Sequence, residues 1–188
     1  MHMWNLQCQR NETGFNMDKR WIFIIAVLII GLGSMYLIVD NSTSVGNAIA
    51  SVDQVIVTIP PGFTNFQTHE DSVNVENKYT QEKLYFKSIA KGDHALEKFN
   101  KTLADWESDE NVIITNESTM KINNVTAYVI YYQNTSSGEP IDYMRAYFYD
   151  YDTTFLVIMW NFENVERGNS NLKFIVENIY PDYKKPKV

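Results

Sequence analysis

The sequence predicts an α+β domain, an antiparallel β-sheet covered by helices on both faces, behind a single transmembrane helix. Three observations carry this prediction: an uncharged apolar run, strand segments whose two alternating faces are both apolar, and two amphipathic helical segments. A sheet that is apolar on both sides must be covered on both sides, and the two helices supply that cover. Hydrophobic residues make up 45% and charged residues 21% of the 188 residues, which is typical of a folded chain.

The apolar run Trp21–Val39 predicts a membrane anchor. It carries no charge, and as a helix it would span about 28 Å, close to the ~30 Å hydrocarbon core of a bilayer. Arg10, Lys19 and Arg20 precede the run and Asp40 follows it. The positive-inside rule therefore places the N-terminus in the cytoplasm and the rest of the chain outside. We expect a single-pass protein of the cell membrane.

The apolar run has two alternative interpretations, and the residues before it raise a separate question. A cleaved signal peptide has a small-residue site at Ala48–Ala50, but the apolar run exceeds the usual 7–15 residues of a signal core and ends well before that site. A pilin-type leader would carry a small residue and a following Glu near Arg20–Ala26, which are not there. Met17–Arg20 is typical of the start of an anchor, which makes residues 1–16 a candidate upstream extension. The uncleaved anchor is the favoured interpretation.

The rest of the chain divides by composition. Residues 40–54 are small and polar without periodicity, which predicts a flexible stalk. The predicted organisation is a cytoplasmic tail (1–20), a transmembrane helix (21–39), the stalk (40–54), an extracytoplasmic domain (55–182) and a basic tail (183–188).

The domain begins with strands and an amphipathic helix. Val55–Ile59 is β-branched and ends at Pro60-Pro61-Gly62, a turn signal, and further strands are predicted near Ser72–Val75 and at Leu84–Ile89. A helix is predicted over Asp93–Glu107, with the carboxylate of Asp93 as its cap. Spacings of three and four residues give this helix an apolar face made of Leu96, Phe99, Leu103 and Trp106.

The second half predicts a three-strand antiparallel meander and a closing helix. The strands are placed at about Thr119–Gln133, Asp142–Asp150 and Thr154–Phe162, with turns at Asn134–Pro140 and Tyr151–Thr153. The helix is placed at about Ser170–Tyr180 and is stopped by Pro181; its apolar face is Leu172, Ile175, Val176 and Ile179.

This order of elements resembles the PsbP/Mog1-like α/β/α sandwich over roughly residues 55–180. The segments that carry the resemblance are Val57–Phe63, Lys121–Tyr128, Phe155–Trp160 and Phe174–Ile179. The resemblance implies a domain that prokaryotes often carry behind a signal or an anchor. Its members include photosystem accessory subunits, transport regulators and many uncharacterised proteins, so the fold does not determine the function. The family supplies no shared catalytic residues.

Charge and reactive residues exclude several classes of function. Residues 40–188 hold 13 Lys+Arg and 21 Asp+Glu, a net charge of −8, which disfavours a nucleic-acid partner. Cys8 is the single cysteine, so no disulfide or CxxC metal pair forms within the chain. His69 and His94 have no ligand-type neighbours at metal spacing, and no nucleotide-binding or hydrolase motif occurs. We expect no catalytic residue, metal or cofactor.

Two sets of residues are candidates for surface function. An exposed tyrosine cluster in the meander would suit a binding groove, although burial under the helices is expected for about half of its members; the candidates are Tyr128, Tyr132, Tyr147 and Tyr149. Candidate N-glycosylation sequons outside the membrane occur at Asn41, Asn100, Asn116, Asn124 and Asn134.

The sequence therefore favours a membrane-anchored, non-catalytic binding or accessory module that meets an envelope protein or a surface ligand. Two alternatives stay open. One is a small-ligand or lipid carrier that uses a cleft between helix and sheet. The other is a hydrolase whose site is not recognisable from sequence, since catalytic triads assemble in space.

Overall fold

The structure, a computed structural model, describes residues 48–183. In that range the elements, in chain order, are β1 (Ile49–Val52), β2 (Val55–Thr58), β3 (Asn65–Thr68), β4 (Ser72–Glu76), β5 (Lys83–Lys91), α1 (Ala95–Trp106), β6 (Val112–Ile122), β7 (Val125–Asn134), β8 (Ile141–Asp150), β9 (Thr153–Trp160), α2 (Val165–Glu177) and β10 (Ile179–Pro181). The strands form a three-stranded sheet in the order β1-β2-β10 and a seven-stranded sheet in the order β3-β4-β5-β9-β8-β7-β6. Every pairing is antiparallel. The prediction of an α+β domain with antiparallel strands and two helices is confirmed.

One side of the seven-stranded sheet, which we call the packed face, holds the main core. Its largest side chains are the fully buried rings of Phe86, Phe148 and Phe155. The Phe155 ring centroid lies 5.2 Å from that of Phe86 and 5.4 Å from that of Phe148. Leu172 and Ile175 of α2 belong to the same core, as do the inward side chains of the three-stranded sheet. The packed face is therefore covered by a helix and a second sheet together.

The other side of the seven-stranded sheet, which we call the α1 face, is covered by α1. Neighbouring side chains on a strand point to opposite faces, so Tyr147 lies on this side when Phe148 lies on the packed face. Ile130, Tyr132 and Tyr147 form a second cluster with Ala95 and Phe99 of α1. The two helices thus pack on opposite faces of the sheet.

The meander has four strands where three were predicted. The stretch Thr119–Gln133 was predicted as one strand, but it is split between β6 and β7 by a two-residue turn at Asn123-Asn124. Asn123 has φ +54°, a left-handed conformation that asparagine adopts more readily than most residues. The single-strand prediction was wrong because the apolar alternation on both sides of the turn was read as continuous.

Both ends of the described domain also differ from prediction. Strand β1 lies inside the segment 40–54 that was predicted as a flexible stalk, and Ala50 and Val52 are buried. The last helix begins at Val165, where the side chain of Asn164 accepts a hydrogen bond from the Arg167 amide at 2.8 Å. It ends at Glu177, and the following strand β10 pairs with β2 instead of continuing the helix.

Helix α1 lies where it was predicted, but its buried face is rotated. Ala95, Phe99 and Thr102 are the buried residues, whereas Leu96, which was assigned to the apolar face, is 48% exposed. The Asp93 carboxylate accepts a hydrogen bond from the Ala95 amide at 3.4 Å, and the Thr154 hydroxyl accepts one from the His94 amide at 2.9 Å. The start of the helix is thus fastened to strand β9.

Several predictions fall outside the described residues. They are the cytoplasmic tail (1–20), the transmembrane helix Trp21–Val39, the stalk residues 40–47, the sequon at Asn41 and residues 184–188 of the basic tail. Between residues 48 and 183, no helix is both long enough and apolar enough to cross a membrane.

Candidate binding surface beside helix α1

Helix α1 covers only part of the α1 face. It packs over β7 and β8, while the side chains of β9 and β5 that point to the same side are partly exposed. The open face is the partly exposed area at and beyond the edge of α1. It is defined by Lys83, Tyr85, Tyr143, Arg145, Ile158 and Trp160. The antiparallel register brings these residues together, since Tyr143 pairs with Trp160 and Arg145 pairs with Ile158.

A row of aromatic rings leads from α1 onto the open face. The centroid distances are 4.3 Å from Trp106 to Tyr132, 5.0 Å from Tyr132 to Tyr143 and 6.0 Å from Tyr143 to Trp160. The last two pairs are stacked, at interplanar angles of 14° and 24°. Cross-strand pairing of aromatic residues stabilises the sheet and holds the rings in one orientation. Within this row Tyr132 is buried, whereas Trp106, Tyr143 and Trp160 are partly exposed.

A shallow pocket lies at the exposed end of this row. It has a volume of about 220 Å³, and polar residues of β3, β4 and β5 line it together with Trp160: Asn65, Gln67, Asn74, Glu76 and Lys83. These side chains meet because Asn65 pairs with Glu76 and Glu76 pairs with Lys83 across neighbouring strands. Pockets for whole small molecules usually measure about 300–1,000 Å³. This pocket suits one ring or one side chain of a longer ligand.

Arg145 is the unusual charge of the open face. Its guanidinium carbon lies 4.9 Å from the centroid of the Trp106 ring, a cation–π geometry. One terminal nitrogen donates a long hydrogen bond of 3.4 Å to the Tyr147 hydroxyl. Its Nε is buried and has no hydrogen-bond partner among the described residues. No carboxylate in residues 48–183 forms an ion pair with it.

The other cations of this region have acidic neighbours. The Lys87 ammonium lies 3.1 Å from the Asp71 carboxylate, and this contact lowers the pKa of the exposed Asp71 carboxyl group. Lys83 lies 3.9 Å from Glu76, at the rim of the pocket. Both pairs are substantially exposed, so water screens them. Of the cations in this region, Arg145 is thus the one whose charge is least neutralised by a neighbouring carboxylate.

A hydrogen-bond chain links Arg145 to α1. The Thr102 hydroxyl donates to the Lys98 carbonyl at 2.9 Å and lies 2.7 Å from the Tyr147 hydroxyl. The hydroxyl hydrogen of Thr102 is already used in the bond to the Lys98 carbonyl. The Tyr147 hydroxyl therefore donates to Thr102 and accepts from Arg145. Burial raises the pKa of the neighbouring Tyr132 to about 12, and the Tyr132 hydroxyl therefore stays neutral at physiological pH. The chain fixes α1 and orients Arg145 without placing an ionised oxygen beside it.

The predicted tyrosine surface is only partly exposed. Tyr132 and Tyr147 are 6% and 4% exposed and lie beneath α1. Tyr128 packs on Phe99 at a centroid distance of 5.7 Å, and the Tyr149 hydroxyl donates to Asp152 at 3.3 Å. The four tyrosines share the α1 face and form its floor. The aromatic residues of the open face are instead Tyr85, Tyr143 and Trp160, which sequence reasoning did not select.

The histidines of the described chain are not among the pocket-lining residues and have local roles. His94 is the N-cap residue of α1, and its Nδ1 lies 2.9 Å from a Glu97 carboxylate oxygen. His69 lies exposed in the turn between β3 and β4, where its amide donates to the Ser72 carbonyl at 2.8 Å. In the part of the chain that the structure describes, no group of three or more His, Cys, Asp or Glu residues is arranged to hold a metal ion.

The candidate glycosylation sites are spread over the described surface. Asn100 is exposed on α1, Asn116 at an irregularity of β6 and Asn124 in the β6–β7 turn. Asn134 is half-buried, and its side-chain oxygen accepts hydrogen bonds from the Ser136 hydroxyl and amide. None of these four lies among the residues that define the open face.

No protein-family model matches this chain, and no curated protein matches it. Solved structures do. A crystal structure of a Bacteroides thetaiotaomicron protein matches with a TM-score of 0.53 at 10% identity, covering 76% of this chain and 50% of that one. This chain therefore spans half the length of that protein. At such identity the likeness shows a shared fold alone.

Two further structures are similar at the same identity. The solution structure of cyanobacterial PsbP (CyanoP) from Synechocystis matches with a TM-score of 0.46 at 10% identity, covering 74% of this chain and 95% of that one. A Pseudomonas aeruginosa protein of unknown function matches with a TM-score of 0.43 at 10% identity, covering 75% of this chain and 99% of that one.

Proposed function

We propose that this chain is a non-catalytic binding module, held outside the cytoplasm by the anchor Trp21–Val39, and that it binds its partner through the open face. The observation that carries the proposal is the stacked aromatic row that ends partly exposed at Trp160. Burying such rings against a partner releases apolar area from water, and tyrosine and tryptophan are enriched where proteins bind. We expect an envelope protein or a surface ligand as the partner.

The groups on the open face are those of a binding site. The open face and its pocket present aromatic rings, side-chain amides, the ion-paired Lys83 and the unpaired Arg145, which stack and donate or accept hydrogen bonds. A hydrolase would need a base beside a nucleophile, whereas His94 is bonded to Glu97 at the start of α1. A lipid carrier would need an apolar cavity between helix and sheet, whereas Phe99 and Tyr128 are in ring contact there.

We also propose the finer fold assignment, a PsbP/Mog1-like α/β/α sandwich. Its support is the placement of α1 and α2 on opposite faces of one antiparallel sheet, together with the order of the elements. The fold hosts unrelated functions, so the binding role is argued from the open face and not from this assignment.

The anchor keeps the domain near the membrane. Eight residues, 40–47, separate the predicted span from the described domain. Even fully extended, they would reach only about 30 Å. We therefore expect the binding module to meet partners in the membrane or in the layer of envelope next to it.

Cysteine labelling tests the membrane orientation. In a Cys8→Ser background, Asp18→Cys marks the predicted inner side and Ser137→Cys marks the exposed β7–β8 turn. A membrane-impermeant maleimide added to intact cells is expected to label Ser137→Cys, and to label Asp18→Cys only after lysis. Labelling of Asp18→Cys in intact cells would reverse the proposed orientation. The mass of the native protein separates an intact anchor from cleavage near Ala50 and from a start at Met17.

Site-specific photo-crosslinking tests the open face. A photoreactive phenylalanine analogue replaces Trp160 in the full chain, in its native membrane, and a matched control carries it at Ile113. Ile113 is 51% exposed and lies on β6, at the far edge of the same sheet. We expect a crosslinked adduct from position 160 that is weak or missing from position 113. Equal crosslinking from both positions, or none from position 160, would contradict binding through the open face.

A further inference from the structure

We propose that the open face binds an acidic saccharide, with one sugar ring on Trp160 and a carboxylate of the sugar chain on Arg145. This inference rests on the proposed binding function and names the ligand class for it. Arg145 and Trp160 are diagonal neighbours across β8 and β9, because Arg145 pairs with Ile158 and Trp160 lies two residues further along. The backbone positions of such neighbours are about 7–8 Å apart. The Arg145 guanidinium itself lies over Trp106 of α1, so a ligand that covers Trp160 must extend past Tyr143 for its carboxylate to reach Arg145.

The platform is the Trp160 ring, which lines the pocket and is stacked on Tyr143. The two rings are 24° from parallel, and the sheet beneath holds them in place. A pyranose ring has one face made mainly of C–H bonds and a rim of hydroxyl groups, so it can lie flat on an aromatic ring while its rim stays polar. The pocket of about 220 Å³ beside Trp160 holds one such unit of a longer chain and leaves the rest on the surface.

The rim of that pocket offers unused amides. The side chains of Asn65, Gln67 and Asn74 line it, and within residues 48–183 they form no hydrogen bonds. Each amide has an acceptor oxygen and a donor nitrogen. A sugar hydroxyl also donates and accepts at one atom, so a hydroxyl-rich ligand can satisfy both halves of each amide.

Arg145 supplies the reason for an acidic ligand. Its guanidinium donates a long hydrogen bond to the Tyr147 hydroxyl and also interacts with the Tyr132 hydroxyl, but its Nε is unpartnered and no carboxylate in the described chain pairs with it. Arginine binds carboxylates with two parallel hydrogen bonds, which are stronger than those between neutral groups. An arginine without an acid is unexpected where residues 40–188 carry 21 acidic against 13 basic side chains. A neutral ligand would leave this charge uncompensated.

The location favours a saccharide over an acidic peptide. Extended peptides commonly bind by adding a strand to a sheet edge, and the edges of the seven-stranded sheet are β3 and β6. The ring platform and Arg145 instead lie across β5, β8 and β9, whose backbone groups are already paired on both sides. The pocket beside them reaches the edge strand β3 at Asn65 and Gln67. Recognition there relies on ring faces and side-chain hydrogen bonds.

A glycan array probed with the full chain in detergent tests the proposal. The array carries oligosaccharides with hexuronate or sialate residues, their carboxyl-reduced counterparts, and peptides rich in Asp and Glu. We expect binding to acidic glycans that falls at least about tenfold on carboxyl reduction, the loss expected when one charge-assisted pair is removed. Binding to no acidic glycan, equal binding to reduced and unreduced forms, or binding to the acidic peptides alone would overturn it.

Matched variants connect the array signal to the open face. Arg145→Met keeps the apolar stem and removes the charge, and Trp160→Ala removes the platform; each is expected to weaken binding at least about tenfold. Lys101→Gln removes one positive charge from the solvent side of α1 and is expected to leave binding unchanged. Arg145→Lys keeps the charge without the planar fork, so an intermediate loss is expected if the carboxylate is bound by two bonds. An equal loss from Lys101→Gln and Arg145→Met would overturn the assignment to Arg145.

The two proposals fail in different ways. A crosslinked partner at position 160 together with an array that shows no acidic glycan would retain the open face as the binding site and reject the ligand class. An acidic glycan bound equally well by the chain and by Trp160→Ala would reject the open face itself.

Discussion

The two faces of the seven-stranded sheet are built from the same strands but from different kinds of residue. On the packed face, Phe86, Phe148 and Phe155 are fully buried beneath α2 and the three-stranded sheet. On the α1 face the corresponding large aromatic residues are tyrosines and a tryptophan. Those beyond the edge of α1 are partly exposed to solvent. Phenylalanine has no polar atom, whereas tyrosine and tryptophan pair an apolar ring with a hydrogen-bonding tip.

This difference separates stability from recognition. The packed face is held mainly by the close packing of apolar side chains, and its buried Tyr131 donates its hydroxyl to Asn169. The α1 face must satisfy hydroxyls as well as rings, which it does with the chain from Arg145 through Tyr147 and Thr102 to the Lys98 carbonyl. Because the packed face supplies most of the buried apolar area, part of the α1 face can stay exposed with little loss of folding free energy. That exposed part is available for a ligand.

The largest expected change in the free energy of unfolding comes from removing a buried side chain of the packed face. Phe148→Ala removes a fully buried ring in contact with Phe86 and Phe155, so it should lower the free energy of unfolding by about 3–5 kcal/mol. Tyr143→Ala, the control on the open face, should cost on the order of 1–2 kcal/mol, because part of its ring is already in water. Urea unfolding of the detergent-solubilised chain, followed by near-ultraviolet circular dichroism, measures both. Equal losses would show that the two faces are packed alike.

A smaller effect is expected from alkaline pH, and it concerns the α1 face alone. Burial raises the pKa of Tyr132 to about 12, above the usual value near 10. Between these values the unfolded chain loses the Tyr132 proton while the folded chain keeps it, so the stability that this group contributes is complete below pH 10 and is lost as the pH rises through 12.

The Tyr132→Phe variant isolates this contribution. The loss of stability between pH 9 and pH 11 should be about 1 kcal/mol smaller in Tyr132→Phe than in the unmodified chain. Tyr79→Phe, which removes the hydroxyl of a tyrosine that is 61% exposed, is the matched control. Urea titrations at the two pH values measure the difference. The same pH dependence in all three proteins would mean that the Tyr132 hydroxyl is accessible to water.

The packed face was the more predictable of the two. The apolar pattern of Phe155–Trp160 predicted a strand buried on both sides; β9 occupies that place, buried on the packed face and partly exposed on the α1 face. Local patterns were sufficient because hydrophobic burial depends on residue type and period alone. The Asn123-Asn124 turn was missed because Val125–Tyr132 and the residues before the turn are both strand-like, and only the left-handed conformation of Asn123 separates them.

The open face was less predictable for two physical reasons. Its Tyr143–Trp160 pair follows from a two-residue turn at Tyr151-Asp152, both with positive φ. A three-residue turn was predicted, and a one-residue slip moves every side chain to the other face. The approach of Trp160 to Lys83, in contrast, depends on pairing of β9 with β5, which are distant in sequence. No local signal reports such a contact.

The smallest expected effect tests how α1 sits on its face. Sequence periodicity assigned Leu96 to the buried side, but it is 48% exposed, while Phe99 is 9% exposed and packs on Tyr128. Leu96→Ala should therefore change the free energy of unfolding by less than about 0.5 kcal/mol. Phe99→Ala, measured beside it, should lower the free energy of unfolding several times more, because it removes a buried ring through which α1 packs on the sheet. A loss of about 2 kcal/mol or more in Leu96→Ala would mean that α1 is rotated toward the sequence-predicted face. That rotation would also move Trp106 relative to Arg145, and so the same measurement reports on the geometry at the inner end of the open face.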